Sequence, residues 1–309
     1  MRFKRVILRA ATLSALPLLL SACVSASSPP AVGPDPAVGP KRTKEQNIEL
    51  GRQHKTAAEL FKFLRDEAKG GKKLEWNRLP DWSGVYSRPL DRGFNFDIDQ
   101  PREGPTTAKL TPDYQKKLDK RLADLKKGIE WDPISTCAPP GVPRWLTEPF
   151  LREFVVTPDQ TWLINEMVND IRRVYTDGRD HEPEEDRIPI PNGDTVGFWD
   201  GPRLIMHTNS LKSGIYQRGN PDYTDQVETV EIWEKADDKT LGAQVWVYDP
   251  PALVEPWYVY HAYGKLSDPP RIRYWDCGEN KNNSVFQNKD GTTEFRDLGY
   301  QESKTEKGK

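Results

Sequence analysis

The chain has 309 residues, room for one large or two small domains with a sizeable core. A formal charge of only -2 leaves no electrostatic footprint for nucleic acid. Charged residues make up 30% and hydrophobic residues 36%, so part of the chain must lie in solvated tails and loops. Ten tryptophans and eleven tyrosines suit a β-rich core, and equally the lining of a pocket for an apolar or aromatic ligand.

The N-terminus carries an address. Arg2, Lys4, Arg5 and Arg9 form a basic flank, Val6 to Leu20 an apolar run, and Leu20-Ser21-Ala22-Cys23 a small-residue cleavage site before a cysteine. The run is too short for a membrane span and is broken by Pro17. This pattern predicts a lipoprotein signal peptide over residues 1–22, cleaved before Cys23, which becomes the lipidated terminus. Val24 rather than Asp follows the cysteine, so the expected address is the outer membrane, facing the periplasm. Lipid is then the anchor and the rest is soluble. In that oxidising compartment Cys137 and Cys277 are open to a disulfide, to separate burial, or to a catalytic thiol.

Residues 23–44 are rich in Ser, Pro, Ala and Gly and read as a flexible tether. A helical segment is expected over 45–72, with Ala57, Leu60, Phe61 and Leu64 as its apolar stripe and Gly70-Gly71 as its stop. The remaining domain, residues 73–300, is expected to be β-rich. Leu79 to Tyr86 reads as a first barrel strand, and Pro89 to Pro105 as an irregular stretch across an opening. Thr111-Pro112 caps a helix over 112–127 whose stripe is Tyr114, Leu118, Leu122 and Leu125, to be packed on the sheet. Strands follow at Leu151–Val156, Thr161–Val168, Ile171–Thr176, Val196–Trp199, Arg203–Asn209, Val227–Trp233, Leu241–Tyr248, Trp257–Tyr263 and Arg271–Trp275. Their punctuation is Thr157-Pro158-Asp159-Gln160, Asp177-Gly178, Asp200-Gly201 and Asp237-Asp238. Short strands with no alternating helices predict a mainly β fold, an antiparallel lipocalin-like barrel or strongly curved sheet with two N-terminal helices. Residues 301–309 read as a disordered tail.

Alternate residues of a strand share a face. One phase collects Trp162, Ile164, Glu166, Ile171, Arg173, Tyr175, Ile205, His207, Val227, Thr229, Glu231, Trp233, Trp257, Val259, His261 and Tyr263. The other, with Leu163, Met167, Val174, Leu204, Met206, Val230 and Ile232, is more uniformly apolar and is expected to be the packed side. The first would then line a cavity. Candidate ligand-binding residues on this reading are Arg144, Trp162, Glu166, Arg173, Tyr175, Asp177, Arg179, Trp199, Trp233, Trp257 and His261. His181, His207 and Glu231 are the candidate catalytic groups, because an imidazole beside a carboxylate can exchange protons near neutral pH. A Glu-Arg-His group inside a barrel can equally be a salt-bridge network that orients strands.

The loop from Asp177 to Asp194 gathers Asp177, Arg179, Asp180, His181, Glu184, Glu185, Asp186 and Asp194. Its single histidine and the lack of any H-x-x-x-H spacing argue against a metal, and none is expected. No G-x-S-x-G elbow, Walker loop or dinucleotide fingerprint occurs, so no cofactor is expected.

Several islands recur in one order: Cys137-Ala-Pro-Pro-Gly-Val-Pro-Arg144, Tyr175-Thr-Asp-Gly-Arg-Asp-His181, Gly193-Asp-Thr-Val-Gly-Phe-Trp-Asp-Gly201 and Cys277-Gly-Glu-Asn280. Together they resemble a large uncharacterised family of secreted or lipid-anchored bacterial proteins without an assigned activity. The resemblance covers roughly Trp82 to Asn280 and implies a shared periplasmic β-rich domain. It favours a Cys137–Cys277 pair without fixing it, and brings no mechanism. The chain departs from that family's pattern at Gly219-Asn-Pro-Asp222, where many members have Gly-x-Pro-His, and at Glu231-Ile232, where they have Glu-Arg.

The function expected from these readings is lipid-anchored binding of an apolar or aromatic small molecule in a β-barrel cavity. The alternatives are a cofactor-independent isomerase, lyase or hydrolase using His and carboxylates, and an envelope assembly protein.

Overall fold

Turn residues and alternation set nine strands into one barrel. They are β1 (Val85–Ser87), β2 (Arg152–Val156), β3 (Gln160–Asn165), β4 (Asp170–Tyr175), β5 (Asp194–Asp200), β6 (Arg203–Asn209), β7 (Glu228–Asp237), β8 (Thr240–Tyr248) and β9 (Trp257–Lys265). The computed structural model describes residues 32–89, 94–101, 104–130, 132–275, 285–287, 289–290 and 292–295. The signal peptide, Cys23, Cys277 and the 301–309 tail lie outside the described residues. Arg271–Trp275 is not a strand; it is pinned to the β3–β4 turn, with Trp275 N donating to Asn169 Oδ1 (2.9 Å) and Asn169 Nδ2 to the Trp275 carbonyl (3.0 Å).

The fold is mainly β, as the strand spacing predicts. Every strand neighbours its sequence neighbours, and β9 closes the ring on β1. Strand direction is mixed rather than purely antiparallel, for a reason of parity. A ring in which every neighbouring pair is antiparallel needs an even number of strands. Nine force at least one parallel pair, and it falls between β4 and β5, which meet through the single register pair Tyr175↔Val196. A parallel connection needs a long crossover. Residues 176–193 supply it, as a proline-braced loop with one 3-10 turn at Glu184–Asp186 in place of an α-helix.

The barrel is filled. Leu163, Arg172, Trp199, Leu204, Met206, Glu231, Trp233, Val245, His261 and Tyr263 all point inward and are all fully buried. Trp233 stacks flat on Tyr263, with ring centroids 5.4 Å apart. Phe96, from the stretch expected across an opening, inserts against Trp257, Tyr216 and His261. The interior that was to hold a ligand therefore has no room for one among the described residues.

Part of the barrel's outside is also covered. The expected 45–72 helix is two helices, α1 (Lys44–Gln53) and α2 (Ala57–Glu67), separated at His54. A capping box starts α1: Thr43 Oγ1 accepts from Gln46 N, and Gln46 Oε1 accepts from Thr43 N. Thr56 caps α2, whose stripe of Ala57, Leu60, Phe61 and Leu64 is buried as the periodicity predicts. These residues pack on Val196, Phe198, Ile205, Val230 and Ile232 of the barrel's outer face. The third helix, α3 (Pro112–Leu125), does not pack on the barrel sheet. It buries only Leu118 and lies near the strand pairs Ile129–Glu130 and Asp222–Tyr223.

Apolar strand residues thus face both inward and outward, and this divides the predicted faces. Glu231, Trp233, Val259 and His261 point inward as expected, but Trp162, Ile171, Arg173, Tyr175 and His207 point outward, while Leu163, Val174, Leu204 and Met206 fill the interior.

Part of the expected tether is fixed to the barrel. Val38 N and Gly39 N donate to the Asp200 carboxylate (2.6 and 3.1 Å), and Arg203 donates to the Gly39 and Pro40 carbonyls (2.8 and 3.2 Å). Gly201 takes φ +60°, and a Cβ there would meet the Asp35 carbonyl at 2.4 Å. The strap lies directly on this turn.

Candidate functional site

The chemistry collects outside the barrel, at the parallel seam. His181 leaves the crossover loop to meet Asp194, the first residue of β5: Nδ1 lies 2.7 Å from Asp194 Oδ2, which also accepts from Glu182 N at 3.0 Å. His181 Nε2 lies 2.9 Å from His207 Nδ1. His207 Nε2 lies 2.9 Å from Glu228 Oε2, at the start of β7. The result is one hydrogen-bonded line, Asp194–His181–His207–Glu228. Phe61 of α2 covers His207, with ring centroids 5.5 Å apart.

Strand register makes the line. His207 lies opposite Val196 and Val230, so Asp194 and Glu228 are each two residues along on the same outer face. These are the diagonal positions that long side chains reach.

The environments of the four groups differ. Burial pushes His207 below the ordinary imidazole range, while Glu228 opposes the shift and the charges of His181 and Arg187 add to it. For Asp194 burial works against ionisation, but the His181 and Glu182 N–H groups outweigh it and hold the carboxyl low. Asp194 is the more sheltered carboxylate, 19% exposed against 35% for Glu228.

Beside Asp194 the seam opens into a groove of about 490 Å³. Ile171, Arg173 and Tyr175 of β4 form one wall, and Arg187, Ile188 and Ile190 of the crossover form the other. At its margin Asp170, buried and raised by that burial, accepts from Asn192 Nδ2 at 2.6 Å. The line of four side chains therefore begins at the groove wall and ends at a carboxylate in contact with solvent.

The structure unites only part of the predicted set. His181 and His207 come together, with Arg173 and Tyr175 in the neighbouring groove. Glu231 stands apart from this line: fully buried, it holds Arg172 through both oxygens (2.7 and 3.1 Å) and accepts from Trp233 Nε1 at 2.8 Å. His261 is locked in the core, with both ring nitrogens unpartnered and its proton affinity pushed well down by burial and by Arg88 and Arg152. Trp199 and Trp233 are core residues, and Trp257 donates from the core to Thr107 Oγ1 at 3.0 Å. Arg144 belongs to a separate buried network, paired with Asp132 at 2.8 Å and Glu148 at 2.6 Å. Glu166 accepts from Arg273 N (3.3 Å), away from any cavity interior. Trp162 lies on the outer face under Arg173, while Asp177 and Arg179 pair with each other in an exposed turn.

Glu228 escaped the sequence reading. Its signal was present as a carboxylate opening a strand whose Val230 and Ile232 share its face, but the pairing with β6 was needed to connect it to His207. Among the described residues no group of three or more His, Cys, Asp or Glu side chains is placed to hold a metal ion. No helix among them is long and apolar enough to cross a membrane. Comparison with protein-family models and with curated proteins finds no match for the chain.

Proposed function

We propose that this is a lipid-anchored protein of the outer membrane, facing the periplasm, which takes an apolar or aromatic small molecule in the seam groove. We further propose that it acts on that molecule by cofactor-independent acid–base chemistry of the isomerase, lyase or hydrolase type. The observation that carries the reading is the Asp194–His181–His207–Glu228 line that starts at an open groove. Asp194, backed by His181, is the base at the groove wall. A proton taken there has a hydrogen-bonded path to Glu228, where solvent can exchange it. The address rests on the signal around Cys23. The Cys137–Cys277 disulfide favoured by the family resemblance belongs to the same proposal, and peptide mapping under non-reducing conditions tests it.

A panel of aromatic and alicyclic esters, lactones and unsaturated acids, incubated with the wild type, His181→Gln and Asp194→Asn, tests the chemistry. Turnover should fall at least about a hundredfold in either variant, the usual contribution of a positioned acid–base group. Turnover untouched by both substitutions, or ligands that leave the His181 ring resonances unmoved, would overturn the assignment. One feature favours a second reading, binding without turnover: Ile188 and Ile190 are 75% and 48% exposed at the groove, apolar surface that a ligand would cover.

A further inference from the structure

The strap places the tether's exit beside an unusual surface residue. Val32 N and Gly33 N both donate to the Asn77 carbonyl, at 2.9 and 3.1 Å. Asn77 sits in the short turn Trp76–Arg78, and Trp76 is 70% exposed. No other tryptophan among the described residues exposes so much of its ring, and six are core residues at 5% or less. Val32, held next to that turn by its hydrogen bond, is 61% exposed. A tryptophan with an apolar body and a polar N–H, set outward beside a valine, has the chemistry of a side chain at a bilayer interface.

Chain length keeps this surface close to the anchor. Nine residue steps separate Cys23 from Val32. Fully extended they span about 30 Å. A surface tied so closely meets the membrane at an effective concentration in the millimolar range. The local charges are mostly used within the protein: Lys72 and Arg78 reach Asp35 (3.6 and 3.2 Å), and Lys73 reaches Asp159 at 2.5 Å. Contact with lipid therefore falls to the apolar groups rather than to a basic patch.

We propose that the Trp76 turn, with Val32, is the surface by which the protein rests on the phospholipid bilayer that anchors it. The inference depends on lipidation of Cys23 as proposed above, and is independent of the acid–base site.

The test uses the full lipoprotein, isolated in detergent and reconstituted into phosphatidylethanolamine/phosphatidylglycerol vesicles whose acyl chains carry bromine just below the headgroup. Bromine quenches tryptophan on contact, and Trp76 is one of ten, so wild-type emission should fall by about a tenth. Trp76→Phe should abolish that loss, and high salt should not. Equal quenching in wild type and variant, or co-flotation with no quenching in the wild type, overturns the surface while leaving the anchor intact. Protein that fails to co-float, with an intact mass lacking the lipid, overturns the anchor and this inference with it.

Discussion

Replacing Glu228 by Gln probes the hydrogen-bonded line through its proton count. Four groups in series make three contacts, and each contact needs one proton. Two ionised carboxylates and two neutral imidazoles supply only two protons, one for each carboxylate contact. His181 Nε2 and His207 Nδ1 would then face each other at 2.9 Å, lone pair against lone pair. A third proton closes the line. Glu228 helps to hold that proton. A unit charge about 4 Å away is worth about 1 kcal/mol in water and about 4 kcal/mol at an effective dielectric near 20. Because Glu228 is 35% exposed, solvent screening brings its share to about 1–2 kcal/mol. At about 1.4 kcal/mol per pH unit, Glu228→Gln should lower the His207 midpoint by about one unit, in the direction burial already pushes it. Burial, Phe61 and the Arg187 charge, which already disfavour protonation of His207, stay in place. The chain has four histidines, so ring nitrogen resonances can be assigned by single substitutions and followed through a pH titration. A His207 midpoint moving by less than about a third of a unit would refute the reasoning.

Three further outcomes follow from the packing. Glu231→Gln leaves the Arg172 guanidinium buried without its counter-charge and should cost about 3–5 kcal/mol in urea unfolding; a loss below about 1 kcal/mol would mean the pair is not what orders the interior. His261 binds its proton far more weakly folded than unfolded, so the unfolded chain gains a proton the native state does not. Its stabilising contribution is therefore complete above pH 6.5 and is lost as pH falls below it, at up to about 1.4 kcal/mol per unit. His261→Leu should flatten the stability–pH curve below pH 6.5 by one proton's worth, and an unchanged slope would contradict the reading. Gly201→Ala should expel the strap, because its Cβ would meet Asp35 and Ala37 backbone atoms at 2.4 and 2.5 Å in a left-handed conformation. The expected signs are a loss of about 1–3 kcal/mol and faster proteolysis between Val32 and Arg42; a strap equally protected in the variant would count against the contact.

Strand positions were legible because the signals are local. Asp200-Gly201 and Thr157-Pro158-Asp159-Gln160 are turns by their own chemistry, and Thr157 Oγ1 indeed accepts from Gln160 N. Which face looks inward was not legible, because α1 and α2 also bury apolar residues on the outer face of β5 to β9. Arg172 and Arg173 are neighbours of the same type, and only the partner chosen by each decides the matter: Arg172 finds Glu231 in the interior, Arg173 finds the face of Trp162 outside. The most consequential difference is one of counting. Taking Arg271–Trp275 as a strand gives an even series, which can close with every neighbour antiparallel and leaves no seam. Because Trp275 is instead tied to the Asn169 turn, the ring has nine strands, and parity alone requires a parallel neighbour pair. Its place between β4 and β5 requires the long crossover that carries His181 to Asp194, and the splayed seam leaves the groove open. The site is thus the local consequence of an odd strand number, a property of the closed ring that no single segment of the sequence contains.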